Sequence, residues 1–274
     1  MIDFISPLRQ VQNSTPLVQC ITNFVTVNDC ANIILAAGGS ASMSQDIREV
    51  EESVCRAKAL VCNMGAIDFV DSMILAGKKA NELGIPVVLD PVAAGGTTLR
   101  RNVSRTLLEE VHFASIRGNA SEIRALAGQS SVGSGVDVSA EDAVTEQNLS
   151  AVIKMAKELA CKIGSVIAIS GPTDIVTDGE QTALIRNGCA TMARITGSGC
   201  MLTSLIGAFC GSYPGDYFSA TCSAIAAMGI CGEAAEARRL KHGTGNATFR
   251  TDLIDAVFNL TEKQLMEGIR YEVY

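Results

Sequence analysis

The chain contains no tryptophan, and aromatic residues make up only 4% of its 274 residues. Flat stacking platforms for single-stranded nucleic acid are therefore not expected. Basic residues are outnumbered, 22 Lys and Arg against 29 Asp and Glu, giving a net charge of −7. That balance argues against nucleic acid or an anionic membrane surface as the main partner. Histidine occurs only twice, at His112 and His242, and no Cys-x-x-Cys pair is present. A structural zinc site is not expected on that basis. The sequence opens Met1-Ile2-Asp3-Phe4, without the basic segment and long apolar run of a signal peptide. No uninterrupted apolar stretch approaches the length of a bilayer span. Linkers, internal repeats and low-complexity tracts are also missing, so residues 1–274 are expected to form a single domain.

What is present is a large apolar fraction, 47%, with 19% charged residues, enough for a sizeable core. Ten cysteines are scattered among apolar neighbours and read as small core fillers. They fit a reducing cytoplasm.

Short apolar runs alternate with helical patterns. Strands are expected at residues 17–20, 59–62, 86–89, 113–116 and 166–169, and a hairpin joins 175–177 to 181–185 through Asp178-Gly179-Glu180. Helical spacing marks residues 27–37, 68–83 and 150–161, and almost everything after Cys200, including 216–240 and 252–266. Residues 130–142 read as an exposed loop. Alternation of this kind implies right-handed βαβ units, a mostly parallel central sheet and helices on both faces. Ligands in such α/β folds bind beyond the C-terminal ends of the strands. The polar and glycine residues there are Asn63 to Gly65, Asp90 to Gly96, Arg117 to Glu122 and Ser170-Gly171.

The most informative stretch is Thr196-Gly197-Ser198-Gly199-Cys200, which runs into an apolar helix carrying Met201, Leu202, Leu205, Ile206 and Phe209. Two glycines leave the N–H groups of the first helical turn open to a ligand, a ready phosphate site. A tight packing turn would use the same residues. Cys200 on that turn is a core filler, a nucleophile or a weak general base, and the helix terminus should lower its pKa. A nucleophilic thiol wants a histidine. His112 lies between Val111 and Phe113, and His242 falls in a polar stretch expected to be a loop. Asp90 could hold Mg²⁺ through water, orient a ligand, or cap the following turn. Asn119 to Glu122 has the spacing of a capping box, so Glu122 has a sufficient structural role. Arg117 just before it brings the opposite charge into the same cleft.

Six blocks stand in the order and approximate spacing of one family. They are Pro16 through Asn23, Gly38 through Met43, Asn63-Met64-Gly65, Asp90-Pro91-Val92, Arg117-Gly118-Asn119-Ala120-Ser121-Glu122, and Thr196 through Cys200. On these the chain resembles the hydroxyethylthiazole kinases over about residues 5–265. The resemblance implies a ribokinase-like α/β fold and ATP- and Mg²⁺-dependent phosphorylation of the primary alcohol of 4-methyl-5-(2-hydroxyethyl)thiazole in thiamine salvage. It implies thiazole contacts at Met43 and Gly197, with Asn23 in the substrate-end segment, and nucleotide contacts at Arg117 and Ser170. Asp90 and Glu122 would organise Mg²⁺ and phosphates, and Cys200 would activate the alcohol. The N–H groups of Gly197, Ser198, Gly199 and Cys200 would form an anion hole. A homotrimer with the thiazole site shared between neighbours is also implied.

Three positions depart from the pattern. Ser170 replaces a common threonine but keeps the hydroxyl, and Ala93 stands where glycine is frequent. Cys200 occupies the place of an aspartate in the wider ribokinase-like group. That cysteine counts against a kinase for hydroxymethylpyrimidine or pyridoxal.

Overall fold

The computed structural model describes residues 2–129 and 144–274. Nine strands form one sheet: β1 Leu17–Ile21, β2 Ser40–Ser42, β3 Ala59–Asn63, β4 Val87–Asp90, β5 Ser115–Asn119, β6 Val166–Ser170, β7 Asp174–Thr177, β8 Thr182–Ile185 and β9 Tyr271–Val273. Their order is β2-β1-β3-β4-β5-β6-β7-β8-β9. Every pair from β2 to β6 is parallel, and the pairs from β6 to β9 are antiparallel. The mostly parallel sheet read from the sequence is the one formed, hairpin included.

Eleven helices complete the described chain: α1 Ile5–Ser14, α2 Val27–Ala36, α3 Val50–Val54, α4 Val70–Glu82, α5 Thr98–Glu110, α6 Ala120–Leu126, α7 Leu149–Ile163, α8 Ser198–Ser212, α9 Tyr217–His242, α10 Asn246–Phe258 and α11 Glu262–Gly268. Side chains alternate across the strands, so Val18, Val61 and Ala168 pack with α8 and α9 while Leu60, Leu89 and Ile167 pack with α4 and α7. Burial on both faces is why these strands read as continuous apolar runs.

Two readings need correction. Residues 252–266 are not one helix: α10 ends at Phe258, and Thr261 opens α11 with its own capping box to Gln264. His242 is the last residue of α9, which stops at Gly243 in the left-handed region (φ +65°), so it is helical and not in a loop. In α9, by length and mean hydropathy alone, an 18-residue window would suffice to cross a bilayer, although polar residues interrupt it. That window is 83% buried in the protein, so α9 is a core helix. The sheet also gains β9, an exposed C-terminal strand. The loop assigned to 130–142 lies outside the described residues.

Candidate active site

The C-terminal ends of β1, β3, β4, β5 and β6 lie on one edge of the sheet, and α8 begins above them. Gly197 takes φ +82°, and a Cβ there would meet Thr26 Cγ2 at 2.5 Å. Only glycine lets the turn after β1 dock so closely. Gly199 leaves room for the guanidinium of Arg117, which a Cβ would strike. The first intrahelical bond of α8 runs from Met201 N–H to Gly197 O, 2.8 Å, and no side chain caps the helix. The N–H groups of Ser198, Gly199 and Cys200 therefore precede the helical ladder. They border a cavity of 590 Å³ that Asp90, Arg117, Glu122 and Cys200 also line.

Asp90 ends β4 and is 1% exposed. Its Oδ2 accepts from Asn63 Nδ2 at 3.0 Å and from Thr203 Oγ1 at 2.9 Å, with Arg117 Nη1 at 4.0 Å. Burial pushes the Asp90 carboxyl up, and Arg117 and the hydrogen bonds oppose it. Arg117, with its side chain 12% exposed, donates from Nη2 to Ser170 Oγ. Among the described residues its buried Nε has no partner.

Glu122 completes the capping box: Asn119 Oδ1 accepts from Glu122 N–H at 2.9 Å, and Glu122 Oε2 accepts from Asn119 N–H at 2.7 Å. Its other oxygen, Oε1, accepts from the N–H of Ala93 at 2.9 Å. Ala93 is in the left-handed region (φ +55°), a strain of roughly 1 kcal/mol for a residue with a Cβ. The bond from its N–H to Glu122 helps hold the turn. Burial first, and the nearby Asp90 second, push Glu122 up to about 7.

Cys200 Sγ accepts from Asn63 Nδ2 at 3.2 Å and from Asn23 Nδ2 at 3.6 Å. The expectation of a lowered thiol pKa is overturned. Burial, reinforced by Asp90, pushes Cys200 up to about 12. No histidine borders the cavity, so a resident nucleophilic thiolate has no support.

Beyond Arg117, Ser198 and Gly199, a second cavity of 500 Å³ continues between β6, β7 and α9. Leu202, Ile225, Met228 and Met192 give it an apolar wall. The structure thus brings together Asp90, Arg117, Glu122, Ser170, Asn23 and the turn from Gly197 to Cys200. It does not bring Met43 to them. Met43 follows the edge strand β2 and packs half-buried on the core, outside the residues lining either cavity.

Two residues at the centre were given no role: Asn63, named only for its place at a strand end, and Thr203, not named at all. Asn63 joins Asp90, Cys200, Asn23 and the Gly65 N–H through one amide; its place at a strand end was visible, but its bonds were not. Thr203 follows Cys200 by three residues on α8, the spacing that shares a helix face, and that spacing was the available signal.

The comparisons agree with this geometry. The model of the hydroxyethylthiazole kinase family matches residues 8–263. A hydroxyethylthiazole kinase from Clostridium beijerinckii is 48% identical over 93% of this chain and 92% of its own length. Another, from Clostridium acetobutylicum, is 45% identical over 97% of this chain and 98% of its own. The solved hydroxyethylthiazole kinase of Pyrococcus horikoshii superposes with a TM-score of 0.86 at 34% identity, over 99% of this chain and 98% of that one. A Bacillus subtilis pyridoxal kinase bound to ADP, 16% identical with a TM-score of 0.58 over 80% of this chain and 90% of its own, shares the fold. The α/β sheet, the strand-end cleft and this extent of matching place the chain in the hydroxyethylthiazole kinase family.

Proposed function

We propose that this protein transfers the γ-phosphoryl group of ATP to the primary alcohol of 4-methyl-5-(2-hydroxyethyl)thiazole in thiamine biosynthesis and salvage. One observation carries the reading. The free N–H groups at the start of α8, the Arg117 guanidinium, two buried acids and the Cys200 thiol meet in one cavity, and an apolar slot able to hold a base opens beside it. Phosphoryl transfer asks for positioning and charge stabilisation more than covalent chemistry. Arg117 and the N–H groups of Ser198 to Cys200 supply positive potential where charge develops on the transferred group. Ser170 steadies Arg117. Cys200, held by Asn63 and Asn23, orients the alcohol; Asn23 and Gly197 border that end.

Asp90 and Glu122 suit a divalent cation held through water. Both line the same cavity, and each Glu122 oxygen keeps a lone pair beyond its backbone bond. Among the described residues no three acid, histidine or cysteine side chains form a chelating cluster. That fits Mg²⁺, which uses one or two carboxylates with substrate phosphates and retained waters. When bound, the ion neutralises phosphate charge.

A coupled ADP-release assay with a panel of alcohols tests the reading. Turnover is expected with the hydroxyethylthiazole, and at least tenfold less with a hydroxymethylpyrimidine or pyridoxal. Equal or better turnover with either, or none with any alcohol, would defeat it in favour of another alcohol kinase or a nucleotide-binding protein.

Met43 supports a homotrimer with shared sites. It sits on the edge unit of the sheet, where Phe24 (90% exposed), Val25, Leu35 and Ile47 leave apolar surface uncovered. Light scattering is expected to give three times 28.7 kDa; an active monomer at assay concentration would sink the shared site. Ten free cysteines support a cytoplasmic setting, and a single sheet reaching from Leu17 to Val273 supports one kinase domain over 1–274.

A further inference from the structure

The apolar slot has a polar feature that the phosphate chemistry does not use. Asp174 opens β7 and, among the described residues, is the only acidic side chain lining the 500 Å³ cavity. Its Oδ1 accepts from Gly171 N–H at 2.9 Å, which closes the turn after β6. Its Oδ2 has no hydrogen-bond partner among the described residues. That oxygen is not sealed from solvent and Asp174 lines the cavity, so a ligand that covers it must offer it a donor or leave it unpaired at a cost. Burial pushes Asp174 up to about 7, and the Gly171 bond and Arg117 oppose the rise.

The neighbouring polar groups are committed elsewhere. Ser170 Oγ accepts from Arg117. The amide of Asn187 donates to Glu233 and to Gly268 O, and its oxygen accepts from Arg270 N–H. The strand order then sets position along the cleft. Asn119 of β5 pairs with Ser170 of β6, Ile169 of β6 with Ile175 of β7, and Asp174 with Ile185 of β8. Strands lie about 4.8 Å apart, so Asp174 stands about 10 Å across the sheet from the strand that bears Arg117. A nucleotide with its phosphates at Arg117 and its base against Leu202, Ile225 and Met228 would carry its sugar through the same cavity that Asp174 lines. Sugar hydroxyls are donors, and Oδ2 is an acceptor.

We propose that Asp174 is the sugar-reading residue of the nucleotide site, with Oδ2 accepting a hydrogen bond from a ribose hydroxyl. This rests on the nucleotide reading above but not on the identity of the alcohol. The site accordingly favours ribonucleotides over their deoxy analogues, because a bound nucleotide that covers Oδ2 without supplying the hydroxyl leaves that acceptor unpaired.

The test is calorimetric binding of ADP, 2′-deoxy-ADP and 3′-deoxy-ADP to the full chain with Mg²⁺ and no alcohol. The parent is expected to bind at least one deoxy analogue about tenfold more weakly than ADP. Asp174→Asn keeps an oxygen for Gly171 N–H, and Asp174→Ser keeps it through the equivalent hydroxyl turn. Each is expected to reduce the preference below about threefold with its melting temperature near the parent's. Equal binding of all three nucleotides by the parent, or an undiminished preference in whichever variant folds, overturns the proposal. Failure of the alcohol panel alone leaves this result intact, so the two readings fail separately.

Discussion

Cys200→Ala is expected to lower turnover about a hundredfold without abolishing it, a barrier increase of about 2.7 kcal/mol. General-base assistance is worth roughly a hundredfold to ten-thousandfold, and the site argues for the low end. Burial and Asp90 push the thiol up to about 12, so at neutral pH it carries its proton and is a poor acceptor. Bound phosphates would raise it further. Because the transition state is loose, little proton removal is needed before the phosphoryl bond breaks. Orientation of the alcohol is then the main contribution of Cys200. Cys200→Asp is expected to match or exceed the parent. Asn63 Nδ2 and Asn23 Nδ2, which now reach sulfur, can donate to a carboxylate in its place. A second acid beside Asp90 cannot ionise freely in a buried site, so the pair takes up protons at higher pH than either acid alone. The variant's rate should therefore rise with pH through the neutral range more steeply than the parent's. Steady-state rates at saturating alcohol and ATP check both variants. A folded Cys200→Asp protein that binds both substrates and is inactive would falsify the assignment and point towards a covalent thiol.

The strands were legible because burial on both sheet faces writes apolar runs such as 59–62 and 166–169, and the strand-end rule then selected Asn63, Asp90, Arg117 and Ser170. The elements missed lacked that signature. β2 is Ser-Ala-Ser on an edge, and β9 is exposed. On α5 only Ser104 and Leu107 are buried, so its sequence carries no clear apolar stripe. At the site, the glycines and charges announced an anion cavity, but the direction of the Cys200 pKa shift was not legible. It depends on depth and on Asp90, which is distant in sequence, while the helix terminus is local. The bonds of Asn63 were hidden for the same reason: an amide at a strand end does not reveal which of four partners it joins.

Glu122→Gln is expected to lower both stability and turnover, for reasons that can be separated. Sequence alone suggests that glutamine preserves the cap. The structure corrects this: both oxygens accept backbone N–H groups, from Asn119 and Ala93, and glutamine has one oxygen. Its NH₂ must face one of these donors, leaving a buried N–H unpaired at a cost of about 1–3 kcal/mol. Burial and Asp90 raise Glu122 from its ordinary 4.5 to about 7. The folded state therefore binds more protons than the unfolded state between those values. Glu122's contribution to stability is present in full below about 4.5 and is lost as pH rises towards 7, by roughly 3 kcal/mol at most. Asp174, raised from 3.8 to about 7 by burial, has the same sign. Melting temperature should thus fall from pH 5 to 7.5 in the parent and fall less in Glu122→Gln, because one of the raised acids is gone while Asp174 and Asp90 remain. Turnover should drop tenfold or more, and the Mg²⁺ concentration giving half-maximal rate should rise, since a negative group facing the metal-bearing cavity has been removed. A loosened cap alone would flatten the pH dependence and lower the melting temperature without moving the Mg²⁺ requirement. Near-normal turnover with an unchanged Mg²⁺ response would return Glu122 to capping α6 and bracing the strained turn at Ala93.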